Sequence, residues 1–135
     1  MVPSSLRRWF VVHCVVDLIA AIPLMLAPRQ VLSWLAWTAI DPMAARIVAA
    51  ALFGIGIESY LGRNGGAESF RGMLRLKVIW SATALLGAVW SQLEGGPVAG
   101  WAVVVIFLGF HSVWLRYWLR LRSAIATARP TESRA

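Results

Sequence analysis

The sequence predicts an all-α integral membrane protein, a four-helix bundle with both termini on the cytoplasmic side (N-in/C-in) and a short interfacial helix between spans one and two. Three observations predict it. Of the 135 residues, 59% are hydrophobic and only 14% charged, too apolar a balance for a water-soluble domain of this length. Four apolar segments, about 9–27, 43–62, 73–93 and 98–119, are long enough at about 1.5 Å per residue to cross a hydrocarbon core about 30 Å thick. The basic residues crowd on one side of those segments. Runs this long and unalternating do not read as barrel strands, and lipid offers no water to an open backbone, so the segments read as helices.

The first span follows Arg7 and Arg8 and runs to Pro28, with Pro23 expected to kink it one turn inside its end. It contains Asp17 and exceeds a usual signal-peptide apolar region, so it reads as a retained span and not a cleaved leader. Residues 29–42 are too short to cross; Trp34 and Trp37 mark them as a helix lying in the interface, with Leu32, Leu35 and Ile40 toward lipid. Asp41-Pro42 opens the second span as an N-cap carboxylate followed by proline at the first helical position. Arg46, one turn in, can snorkel outward. The second span ends at Gly62, Asn64-Gly65-Gly66 is turn chemistry, and Glu68 or Ser69 opens the third helix. Gly95-Gly96-Pro97 turns the chain into the fourth span, which leaves the membrane near Arg116. Residues 1–122 thus form one four-span domain, and 123–135 read as a polar, disordered cytoplasmic tail.

Orientation follows from the basic residues. Arg7 and Arg8, then Arg63, Arg71, Arg75 and Lys77, then Arg116, Arg120, Arg122, Arg129 and Arg134 flank one side; Arg29 and Arg46 alone flank the other. That asymmetry places the first side in the cytoplasm of a bacterial inner membrane. Tryptophans gather in two belts, Trp9, Trp80, Trp114 and Trp118 toward the cytoplasmic end and Trp34, Trp37, Trp90 and Trp101 toward the other. The rim of Arg63, Arg71, Arg75, Arg116, Arg120 and Arg122 is suited to anionic lipid headgroups, which accounts for the net charge of +7 without nucleic acid. The single cysteine, Cys14, lies in an apolar run and reads as a packing residue.

Five ionisable residues fall inside the spans, all in the cytoplasmic half: His13, Asp17, Glu58, Lys77 and His111. A charge at a helix centre costs about 2.5–3.5 kcal/mol on insertion scales, so such groups should face protein or water. Helical spacing puts Glu58 on a ladder of small residues, Ala50, Gly54 and Gly62, and Lys77 on a face with Ser81, Ala84 and Ala88; small-residue faces are where membrane helices approach closely. His13 and Asp17, four apart, share a face. On the fourth span the small seam is Gly109, Ser112 and Arg116, with His111 off it. Three readings remain open. Glu58 and Lys77 form a buried ion pair that sets helix register, with Asp17 as alternative partner. The cluster His13, Asp17, Glu58, Lys77, Ser81 and His111 lines a polar pocket that binds a small molecule, lipid headgroup or quinone, or relays protons. Or His13 and His111 hold a haem between spans one and four. No nucleophile–base, paired-carboxylate or metal-ligand spacing is present, so no catalytic residue and no metal site is assigned.

The run DPMAARIVAAALFGIG at 41–56, with LGRN at 61–64 and LKVIWS at 76–81, resembles small bacterial four-helix membrane proteins of the DoxX-like type. The likeness lies in length, four-span layout and an arginine ahead of a Gly/Ala-rich second span; the first span departs from the pattern by lacking a glycine-rich opening and carrying Asp17. Some DoxX-like proteins are subunits of quinone-linked oxidoreductases, so the resemblance implies an accessory role. The resulting expectation is a non-enzymatic accessory or small-ligand-binding subunit, alone as a homo-oligomer or with other membrane subunits. The alternative is a small membrane enzyme or redox subunit using the cytoplasmic-leaflet pocket.

Overall fold

A computed structural model describes residues 2–128, with side chains through Ser123. Among the described residues the chain is all-helical: α1 (Ser4–Leu26), α2 (Pro28–Trp34), α3 (Pro42–Leu61), a 3-10 turn (Gly62–Asn64), α4 (Ala67–Leu93) and α5 (Gly100–Ala128). Four of these, α1, α3, α4 and α5, are long and apolar enough to cross a membrane.

The helix ends follow local chemistry. α1 continues through Pro23 to Leu26, and Pro28 starts α2 at a position that needs no N–H donor. Two helices stop by the same device. After α4, Gly95 adopts φ +92°, the Gly95 N–H bonds the Gln92 carbonyl and the Gly96 N–H bonds that of Ser91. After α2, Ala36 takes the left-handed role at φ 63°, with the Ala36 N–H on Ser33 and the Trp37 N–H on Leu32. Both are Schellman closures. The second ends α2 at Trp34, so the interfacial helix expected over 29–42 is only seven residues long. Asp41 caps α3 as expected, accepting from the N–H groups of Met43 (2.8 Å) and Ala44 (3.3 Å). Gly66 caps α4, which begins at Ala67, just ahead of the expected Glu68 or Ser69. α5 carries six residues of the expected tail, 123–128, as helix; the remainder, 129–135, lies outside the described residues.

The spanning helices pack as two pairs, α1 on α3 and α4 on α5. The first pair is close because small residues let it be: α3 buries Ala45, Ala49, Gly56 and Ser59, and a Cβ on Gly56 would fall 2.8 Å from the Asp17 Cβ. The pairs meet through side chains, in a cluster of Leu6, Phe10, Phe70, Leu74, Trp114 and Leu121. This cluster lies at one end of the molecule. Arg7 donates to the carbonyls of Arg63 and Gly65, and Tyr117 donates to Ser5 Oγ at 2.9 Å, so the start of α1, the turn after α3 and the C-terminal part of α5 come together. Arg7, Arg8, Arg63, Arg71, Arg75, Arg116, Arg120 and Arg122 therefore share one end, while Arg46 binds the Met25 carbonyl at the other. Toward that opposite end Ile19, Leu26, Met43, Leu86 and Trp90 are exposed, as lipid-facing side chains would be.

Two expectations change here. Trp114 is not a belt residue but the largest fully buried side chain, because its ring fills the gap between α1 and α5 against Phe10 (5.6 Å between centroids) and Phe110 (5.8 Å). The small seam Gly109, Ser112 and Arg116 faces outward, and α5 packs instead through Val104, His111, Trp114 and Leu121.

Candidate functional site

Just inside the basic end, Lys77 of α4 is 3% exposed and reaches every other spanning helix. Its Nζ donates to Ser59 Oγ of α3 at 2.6 Å and lies 3.0 Å from His13 Nδ1 of α1. The same ammonium sits 5.0 Å from the ring centroids of Phe10 and of Trp114 on α5, within cation–π range. Ser59 in turn donates to the Ile55 carbonyl.

On α1, Asp17 Oδ2 approaches His13 Nδ1 to 3.0 Å, as the spacing of four residues predicts. The contact is a close approach and not an aligned hydrogen bond, since Oδ2 accepts none. A ring nitrogen carries either a lone pair or a proton, so Nδ1 cannot accept from Lys77 and donate to Asp17 at once. On the other side, Ser81 Oγ lies 2.7 Å from the Lys77 carbonyl and 2.9 Å from His111 Nδ1. Its one proton serves one of them. With that proton on the carbonyl, as in the neighbouring Ser and Thr back-bonds, His111 must be the Nδ1–H tautomer and donate to Ser81.

Five of the six residues grouped from the sequence, His13, Asp17, Lys77, Ser81 and His111, thus form one buried or half-buried polar chain across α1, α4 and α5. Glu58 stands apart. It is exposed and makes no ion pair with Lys77; among the described residues the carboxylate contacts to basic side chains are Asp17 with the His13 ring and Glu68 with Arg71. The reason is a choice between neighbouring faces of α3. The ladder Ala50, Gly54 and Glu58 points outward, while the adjacent one, Ala45, Ala49, Gly56 and Ser59, meets α1 and brings Ser59 to the lysine. Ser59, Phe10 and Trp114 are the site residues that sequence reasoning missed, although the spacing of Ser59 from Ala45, Ala49 and Gly56 marks that face.

The rings of Phe110 and Trp114 stand perpendicular to the His13 imidazole, their centroids 4.8 and 5.1 Å from its own. Both imidazoles of the haem reading have partners inside the bundle, His13 Nδ1 beside Lys77 and Asp17 and His111 Nδ1 beside Ser81. No group of three or more potential ligands is placed to hold a metal ion among the described residues.

Beside the polar chain, an open groove of about 190 Å³ runs between α3 and α4, lined by Gly54, Ile55, Glu58, Ser59, Met73, Leu76 and Lys77. Its wall is mainly hydrocarbon. Of the rim arginines, Arg71, Arg75, Arg116, Arg120 and Arg122 are exposed. Arg63 is half-buried, its guanidinium 3.6 Å from the Tyr60 ring centroid and 2.6 Å from the Tyr60 carbonyl.

The chain matches no known protein-family model, no curated protein and no solved structure.

Proposed function

We propose that this protein is a multi-pass component of a bacterial inner membrane, a four-helix bundle with its basic end in the cytoplasm. In this reading it performs no catalysis of its own and serves as an accessory subunit that holds the acyl chain of a lipid in the α3–α4 groove. The groove carries the proposal: it is apolar, open to the side and set in the exposed surface of two helices of spanning length. Its volume of about 190 Å³ suits part of a chain and not a whole ring cofactor. The polar chain behind it belongs to the frame, because the amine of Lys77 is committed to His13 and Ser59 and joins the two helix pairs. The DoxX-like resemblance agrees with an accessory role.

Native mass spectrometry of protein purified in mild detergent tests this. Wild-type protein should retain lipid, and Gly54→Trp, which places a large ring in the groove, should lose it while remaining folded. Equal retention by both would remove the groove from the function.

A further inference from the structure

We propose that Glu58 makes the groove selective for a phospholipid whose headgroup carries a primary ammonium, of the phosphatidylethanolamine type. The inference rests on the acyl-chain reading above and adds the headgroup.

Glu58 lies one turn before the end of α3, at the basic end, with its side chain on the groove wall. It is exposed, and it takes part in no ion pair among the described residues. Two neighbouring cations, Arg63 five residues on and Lys77 on the same groove wall, are engaged elsewhere: Arg63 folds back on Tyr60, and Lys77 turns to His13 and Ser59. A carboxylate at a lipid-facing surface requires a cation or water, and a lipid seated in the groove brings its headgroup to this spot. An ammonium headgroup supplies the cation. Its phosphate would meet the exposed arginines of the same end, Arg75 among them. A headgroup with no cation, such as phosphatidylglycerol, would set its negative charge against Glu58, which is discrimination by repulsion as well as attraction.

The test uses full-length protein reconstituted from equal mixtures of phosphatidylethanolamine and phosphatidylglycerol, re-extracted and read by native mass spectrometry. Wild type should retain phosphatidylethanolamine over phosphatidylglycerol by about five-fold, the factor one such charge contact supplies. Glu58→Gln should lose that preference, its retained phosphatidylethanolamine falling toward the level of phosphatidylglycerol. Equal retention of the two lipids by wild type, or an undiminished preference in Glu58→Gln, overturns the headgroup assignment and leaves the acyl-chain reading standing. No retained lipid in wild type overturns the acyl-chain reading itself, and a dimer mass without lipid would mean that a second copy covers the groove.

Discussion

Lys77 Nζ lies 3.0 Å from His13 Nδ1 and makes no ion pair with Glu58. The lysine is therefore the polar joint between the α1–α3 and α4–α5 pairs, and its removal strands buried groups on two of its neighbours. Lys77→Met should cost about 1–3 kcal/mol, the range for leaving a buried polar group unsatisfied. Glu58→Gln should leave folding stability unchanged. Denaturant unfolding in detergent micelles, followed by tryptophan fluorescence, separates the two. Equal losses would mean that Glu58 and Lys77 meet after all.

The tautomer of His13 gives a second prediction, because Nδ1 has Lys77 Nζ and Asp17 Oδ2 both at 3.0 Å. The ammonium is a strong donor, and Oδ2 accepts no hydrogen bond. Nδ1 should therefore be the acceptor, leaving the proton on Nε2. Nitrogen NMR of protein labelled at histidine should show an unprotonated Nδ1 for His13, assigned by its loss in His13→Gln. His111 should show the opposite tautomer if Ser81 gives its proton to the Lys77 carbonyl. A protonated His13 Nδ1 would hand the contact to Asp17 and overturn the role of Lys77 as donor.

Much of the helical layout was legible in the sequence because length and apolarity carry it. The caps that use ordinary chemistry, Asp41-Pro42 and Gly95-Gly96, were legible too. The stop after α2 was not, since its left-handed residue is Ala36 and not glycine, and no residue type marked the turn. Packing partners were harder for a geometric reason. α3 carries two small-residue ladders side by side, and helical period alone cannot say which meets a neighbour. The fit of Gly56 against Asp17 decides it, and that is a property of α1 and α3 together. The same limit turned Trp114 from belt to core.

The charge asymmetry predicts the proposed sidedness, and labelling from one face of the membrane checks it. In a Cys14→Ala background, Glu68→Cys and Glu94→Cys place single exposed thiols at opposite ends of α4. A membrane-impermeant maleimide added to intact spheroplasts should label Glu94→Cys, and should reach Glu68→Cys only after permeabilisation. The reverse pattern would put the basic end outside and contradict the positive-inside assignment.

The two glycines of α3 that lie two residues apart should respond in opposite ways to the same change. At Gly56 an added Cβ would sit 2.8 Å from Asp17 Cβ and 3.2 Å from Oδ2. A Cβ cannot rotate away as the tip of a long side chain can, so α1 and α3 must separate, and Gly56→Ala should cost about 1–3 kcal/mol as an overpacked contact. The displacement would also shift Asp17 away from His13, so the variant should perturb the His13 nitrogen resonances. At Gly54 nothing lies within 4 Å. Gly54→Ala meets open space and should raise stability by up to about 1 kcal/mol through helix propensity. Unfolding midpoints of the two variants against wild type supply the comparison. A destabilised Gly54→Ala beside a neutral Gly56→Ala would mean that α1 packs on the Ala50–Gly54–Glu58 ladder, with Glu58 and not Ser59 turned toward the lysine.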